Sequence, residues 1–516
     1  MKLTIHKINI SDEWLLIFIF ALSKLLIHFL TVNNFELHRD AYLYYAQSEH
    51  LAWGYVSVPP SIAVVGKLAT SIFGNTTFGL RFFPALIGAI SVLIIGLFVK
   101  EVGGKKKAIT LACLAYILSP SYLHTNFLFQ PVAFNHFYWL LSGYLIFKLI
   151  KQNNPKIWIW IGITFGLAFL NKYSIVFFYA AFGVALLFST HRKLILSKYF
   201  LFAVIAGLLI ITPNLLWQID NNWPVLQHMD ELRESQLVHV RLSDFILAQF
   251  LMNMQAIVVW ILALVFLLFN RIEKKYRLFG YMYIFIILLL IAGSGKSYYT
   301  LGVYPILFVF GAYFIEKYVK KYASVLVGFL VIFMFYSLYI SQSFDGIPLS
   351  TFDKAYNREA FRWENGVNND IPQDMADMTG WKEIGEEVSK IYTSLGEENK
   401  ENCEIYCYHY GQAGAVMFYG KNVGIPQPIS PNGSFVFWSP ESISTKYVIY
   451  IHSDLGNDVD PDKQLPQLFE KVTLIKTIDN KYFRENGTKI YLCESPNEEA
   501  KIFYENMMKD LKDNYR

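Results

Sequence analysis

The sequence predicts a polytopic α-helical membrane protein of about eleven transmembrane helices, followed by a C-terminal soluble α/β domain. Three observations predict it. Of the 516 residues, 54% are hydrophobic and only 17% charged, where an average soluble chain carries roughly 25% charge. The apolar residues are grouped in eleven runs near the length a bilayer demands. Lys and Arg collect in alternate loops between those runs, as they do in chains that cross a membrane repeatedly.

The runs fall at 14–32, 78–99, 108–122, 132–148, 157–171, 173–189, 199–217, 245–269, 278–293, 299–315 and 322–341. The first is long and no small-residue cleavage site closes it, so it reads as a retained helix rather than a removed signal. Loops after even-numbered runs hold seventeen basic residues, among them Lys105, Lys106 and Lys107, against six in the opposite loops. That bias puts the N-terminus in the cytoplasm and, with an odd number of spans, everything past about residue 342 outside. The first external loop is then 33–77. Within it "VPPSIAVVGKLATSIFG" has apolar residues at helical spacing and few charges, and reads as a helix lying at the interface. The net charge of +4 gives no footprint for nucleic acid.

The composition changes after 342. "GWKEIGEEVSKIYTSLG" reads as an amphipathic helix; "STKYVIYIHSD", "KVTLIKTID" and "TKIYLCES" read as strands; "NEEAKIFYENMMKDLKDNYR" reads as a closing helix. The expected domains are therefore 1–341 and 342–516. Cys403, Cys407 and Cys493 are odd in number, and the first two lack the two-residue gap of a zinc or redox pair. Metal binding is not expected there, and whether one of the two pairs with Cys493 in a disulfide is left open by the sequence. Cys113 is expected in the core.

Ionisable groups at a membrane are costly unless paired or wet, and here they gather at the external ends of the spans. Asp40 follows the first span. Lys172 and Lys296 lie in later external loops, the latter beside Tyr298 and Tyr299. Lysines there suit a lipid phosphate, and a carboxylate suits a general base or an orienting group for a hydroxyl. Glu36 and Glu49 are possible second acids. Trp53, Tyr55 and Trp223 could contact a sugar or acceptor. Each has a plainer reading: lysines snorkel, aromatic residues form interfacial belts, and Asp40 beside Arg39 makes a surface pair. "GSGKS" (293–297) is only a fragment of a phosphate loop and lies on the outer side. From residues alone, a transferase, a lipid or sugar transporter or flippase, and a non-catalytic scaffold would all fit an outward polar cavity. A transporter would be marked by internal repeats, and none is visible.

"HRDAYLYYAQSEHLAWGYVSVPP", "FGLRFFPALIGA", "LNKYS", "PNLLWQ", "GKSYYTLGVYP", "DMTGWKEIGEEV" and "YGQAGAVMFYG" occur in this order along nearly the whole chain. Together they resemble bacterial family 39-type glycosyltransferases. These are relatives of the dolichyl-phosphate-mannose protein mannosyltransferases (PMT) and of the lipid A aminoarabinose transferase. The resemblance implies a GT-C fold in the bacterial inner membrane. It implies a polyprenyl-phosphate sugar as donor and a lipid (lipid A-like) or protein acceptor at the outer face, with inversion. It puts Asp40 at the catalytic acid, Lys296 at the donor phosphate with Tyr298 and Tyr299, and Lys172 at the "NK" position. Two departures stand out. Many relatives carry two adjacent acids where Ala41 follows Asp40, and the loop after the third span offers Gln130 and Asn135 rather than an acid. A paired-carboxylate mechanism and a dedicated divalent metal therefore lack support in the sequence.

Overall fold

The computed structural model describes residues 11–341, 361–453 and 460–515. The expected boundary at 342 falls outside them. Every one of the eleven apolar runs is helical. Among the described residues, five helices are long and apolar enough to cross a membrane, or up to seven if each of two bent pairs is one span. That is fewer than the eleven expected. Length accounts for part of the shortfall: Ile157–Phe169 and Ile175–Leu187 have 13 residues each, or roughly 20 Å at 1.5 Å per residue, against a hydrocarbon core of about 30 Å. Pro131–Gln152 has 22 residues but carries polar residues such as Asn135 and His136.

With no hydrophobic drive between helices in lipid, close backbone approach holds a bundle together. Helices Ile157–Phe169 and Lys198–Asp220 show it. A Cβ on Gly162 would lie 2.1 Å from the Ala203 carbonyl oxygen. The two bent pairs, Lys106–Ile117 with Pro120–Phe127 (59°) and Leu242–Leu251 with Met254–Phe269 (62°), are each tied by side chains. Buried Lys24 of the first helix donates to the Tyr122 carbonyl at 2.8 Å, and the Tyr122 hydroxyl reaches the Leu301 carbonyl at 2.7 Å. Gln249 Oε1 accepts from the Thr300 and Tyr304 hydroxyls at 2.7 and 3.0 Å.

The loop after the first helix folds into two more helices, Arg39–Glu49 and Ser61–Phe73. The second has the expected two-sided character: Ile62, Ala63, Gly66 and Ala69 are buried, while Val64, Leu68 and Ile72 form an exposed apolar stripe. Arg81, itself buried, fixes where this loop begins by donating to the carbonyls of Val32, Phe35 and Glu36.

The C-terminal part is built on four strands, β1 (Cys403–Cys407), β2 (Tyr447–His452), β3 (Phe469–Thr477) and β4 (Lys489–Pro496), in the order β1-β2-β4-β3. The β1–β2 pair is parallel and the other two pairs are antiparallel. Helices Trp381–Ser394 and Tyr410–Gly420 flank the sheet, and Glu498–Asp513 closes the chain. All four cysteines are free and buried.

Helix Arg39–Glu49 shares a core with this sheet and is buried at every position from Ala41 to Ser48. Its rings interlock with the C-terminal part, Tyr42 5.9 Å from both Trp381 and Phe418, and Tyr45 edge-on to Phe418 at 5.2 Å. The contact is close enough to require glycine. A Cβ on Gly414 would sit 2.5 Å from the Tyr42 carbonyl oxygen.

Candidate active site

Asp40 lies in the first turn of helix Arg39–Glu49, where the unpaired N–H groups favour an anion. His38 caps that helix, its Nδ1 accepting the Asp40 backbone N–H at 3.1 Å. The Asp40 carboxylate is held from two sides. Tyr410, the first residue of helix Tyr410–Gly420, donates to Oδ1 at 2.7 Å. Gln130, from the loop before helix Pro131–Gln152, reaches Oδ2 at 3.4 Å and His38 Nδ1 at 3.2 Å. Arg39 Nε stands 3.7 Å from Oδ1. Burial alone would raise the Asp40 pKa. The charges of His38 and Arg39 and the Tyr410 hydrogen bond overcome it and hold the carboxyl at about 2.

Lys296 stands at the start of the Ser297–Val303 turn. Its ammonium donates to Gln236 and to Glu364 Oε2, the latter at 3.3 Å. Glu364 sits in the turn that joins a short antiparallel strand pair, Phe361–Arg362 with Asn368–Asn369. Its Oε1 takes Arg484 Nη2 at 3.1 Å and faces Arg39 Nη2 at 3.6 Å. Glu364 thus joins Lys296 to the Arg39–Asp40 end. Burial opposes its ionisation, but Lys296, Arg484 and Arg39 together hold it below the usual carboxylate range. Lys172 joins from a third loop, its Nζ 5.9 Å from the centre of the Tyr299 ring. Burial pushes the Lys172 ammonium down; Tyr299 and Asp40 pull it back up, and Lys296 opposes. Tyr298 and Tyr299 pack edge to face at 4.7 Å. Asp40, Lys172, Lys296, Tyr298 and Tyr299 therefore come together as one group.

The other candidates sit elsewhere. Glu36 accepts the Lys382 backbone N–H at 2.9 Å and caps another helix. Glu49 pairs with Lys67 and Lys421 at 3.1 and 3.0 Å, roughly 13 Å along the helix from Asp40. Tyr55 is buried, and its hydroxyl is used within its own loop, accepting from Ala52 N and meeting the Gln47 and His50 carbonyls. Trp53 and Trp223 are exposed, Trp223 in a left-handed turn.

His38, Asp374 and Asp377 are the one group among the described residues with metal-ligand spacing, their ligand atoms lying within 4.8 Å of one another. The donor chemistry argues against a metal there. His38 Nδ1 accepts the Asp40 N–H, so the ring hydrogen belongs on Nε2, the atom that faces both aspartates at 3.7 Å. Asp377 is already bidentate to Arg484, at 3.1 and 3.4 Å. The group fits a hydrogen-bonded cluster instead. Burial disfavours charging His38, but Asp374, Asp40 and Asp377 win and raise its pKa.

Sequence reasoning missed Glu364, Arg484 and Tyr410 as site residues. Tyr410 opened a motif already singled out, "YGQAGAVMFYG". The other two sit in stretches with no periodicity or motif to mark them.

The family described as dolichyl-phosphate-mannose-protein mannosyltransferase matches residues 57–217. Lipid A galacturonosyltransferase RgtD of Rhizobium johnstonii is 26% identical over 216 residues, or 41% of this chain and 45% of that protein. ArnT from Cupriavidus metallidurans, bound to undecaprenyl phosphate, superposes with a TM-score of 0.63 at 12% identity, over 94% of this chain and 98% of that one. Its apo form gives 0.60 at 12% identity, over 92% and 97%. The resemblance read from the sequence stands as a similarity: residues 57–217 match that family, and the chain has the fold of ArnT.

Proposed function

We propose that the protein is a glycosyltransferase that moves a sugar from a polyprenyl-phosphate donor to a lipid A-like acceptor at the outer face of the bacterial inner membrane, with inversion. The observation that carries this reading is the meeting of Asp40 with Lys296 and Lys172 from three separate loops. Asp40 offers an anion and Lys296 and Lys172 offer cations, with the Tyr298–Tyr299 ring pair beside Lys172. The group would serve a transfer with phosphate as leaving group. A cation beside the phosphate stabilises the charge that grows as the sugar–oxygen bond breaks. A carboxylate opposite receives or orients the acceptor hydroxyl. At about 2 the resting Asp40 is a weak base, so orientation and stabilisation of positive charge on the sugar are its stronger roles. A lipid acceptor is favoured over a protein one because the curated relative acts on lipid A and the structural relative binds a polyprenyl phosphate.

The test is transfer from a purified polyprenyl-phosphate sugar to lipid A in nanodiscs, read by mass spectrometry. Lys296→Ala is expected to raise the donor KM and lower kcat together, by about 10-fold or more overall, because it removes a contact made in both the bound and transition states. An unchanged donor KM would remove Lys296 from the phosphate site. The reading also requires an orientation: N-terminus cytoplasmic, residues 342–516 outside as an α/β domain over the cavity. Reporter fusions after Lys107 and Lys198 should score cytoplasmic, and fusions after Asn221 and Asn399 external. An external score at Lys107 would put the site on the wrong face.

A further inference from the structure

Glu364 is a single carboxylate surrounded by three cations. Lys296 comes from a loop between spans, Arg39 from the first loop and Arg484 from the C-terminal part, at 3.3, 3.6 and 3.1 Å. The two arginine side chains are only 11% and 10% exposed. Among the described residues, Arg39 Nε and Arg484 Nε are buried and have no acceptor within hydrogen-bond distance, Arg39 Nε lying 3.7 Å from Asp40 Oδ1 and 3.9 Å from Asp377 Oδ1. Buried donors normally find acceptors, and arginine forks match phosphate oxygens two at a time. The cluster therefore has more donor capacity than Glu364 can fill.

We infer that Glu364 stands in for the phosphate of a lipid phosphate, and that Arg39 and Arg484 join Lys296 in holding that phosphate once Glu364 yields its place. The inference rests on the proposed function and deepens it, since it assigns a phosphate-binding role to a residue of the C-terminal part. Asp377 stays as the permanent partner of Arg484, so the arginine remains charged and fixed when Glu364 leaves. An internal anion also keeps three like charges from repelling one another in the empty site, and it makes binding competitive: only a group with more negative charge and more acceptor atoms than a carboxylate displaces it. A neutral lipid headgroup cannot.

The test uses the full-length protein in nanodiscs with undecaprenyl phosphate as probe. Glu364→Gln removes the competing charge with little change of shape, and should bind the probe about tenfold more tightly, the gain expected if the site is free a tenth of the time in the unmodified protein. Arg484→Gln should weaken binding about tenfold, and Glu364→Gln with Arg484→Gln should lose the gain. If Glu364→Gln perturbs folding, Glu364→Asp keeps the charge, retreats by one methylene, and should show a smaller gain in the same direction. A purely structural ion pair would lower the unfolding temperature and leave probe affinity unchanged, which overturns the inference; so would an Arg484→Gln variant that binds normally. Inorganic phosphate is the second arm, and equal affinity for it and for the lipid would overturn the assignment to a lipid phosphate. Lys296→Ala separates the two levels. If the unmodified protein binds the probe and Lys296→Ala weakens it while Glu364→Gln changes nothing, the inference fails and the proposed function survives. If the unmodified protein does not bind the probe, the proposed function fails with it.

Discussion

Asp40→Asn is expected to leave the protein folded and inserted and to lower transfer by roughly 10²–10³-fold, the range for loss of one group that stabilises charge in the transition state. Folding should survive because the amide keeps most of the contacts. Its oxygen still accepts from Tyr410, and its NH₂ can donate to Gln130 once the Gln130 amide, which now donates to Oδ2, turns its oxygen inward. Arg39 retains Asp377 and Glu364 nearby. What disappears is the charge. Since the carboxyl is held at about 2, Asp40 is ionised throughout the working range, and lowering the pH will not mimic the mutation. The sign is that of any depressed carboxylate: its contribution to stability is present above its unfolded pKa and is lost only as pH falls toward about 2. An acid limb near neutrality in the rate profile would belong to another group, and His38, raised by its carboxylate neighbours, is the one in contact. Glu49→Gln and Glu36→Gln should stay within a few-fold of normal, since their partners lie away from Asp40. If Glu49→Gln abolished transfer and Asp40→Asn did not, the acid would have been misassigned.

Gly414→Val is expected to be the most damaging substitution outside the polar group. Its Cβ would lie 2.5 Å from the Tyr42 carbonyl oxygen and 2.6 Å from the carbonyl carbon. Backbone cannot rotate away as a side chain can, so helices Arg39–Glu49 and Tyr410–Gly420 must separate. Overpacking of this kind costs about 1–3 kcal/mol and sometimes more. The separation also moves Tyr410 off Asp40, so activity should fall with stability rather than after it. Thermal unfolding and turnover of Gly414→Val, beside Gly183→Ala as a control, check this. A Cβ on Gly183 meets nothing within 4 Å, and Ala is the better helix former, so the control should be neutral or slightly stabilising. A Gly414→Val protein with normal turnover would show that the contact with the C-terminal part is dispensable.

Much of this was legible in the sequence. Long apolar runs and the strands "YVIYIH" and "KIYLCES" carry their periodicity openly, and each appears where expected. Asp40 and Lys296 stood out because charge next to lipid is costly and therefore has a reason. The number of crossings was less legible, because a 13-residue apolar helix and half of a bent pair look alike as runs. Nor could the sequence show that helix Arg39–Glu49 is enclosed. A segment buried on all sides loses the amphipathic period, and "YLYYAQS" reads as a polar aromatic loop until its cover is known. Glu364 and Arg484 acquire meaning only from a contact made across 120 residues of chain.

The hydrogen bond between Asp40 and Tyr410 joins residues 370 apart, and that distance has a consequence for the birth of the protein. At about 5–20 residues per second, Tyr410 leaves the ribosome roughly 20–75 s after Asp40. Through that interval Tyr42 and Tyr45, which the finished protein buries almost completely, have no partner and must be shielded by the insertion machinery or by lipid. All the spans are made before the site exists. A chain cut short before Tyr410 can still enter the membrane, but it lacks the hydroxyl that holds Asp40. On the proposed function, synthesis interrupted before that point yields a chain without the polar group that transfer would need.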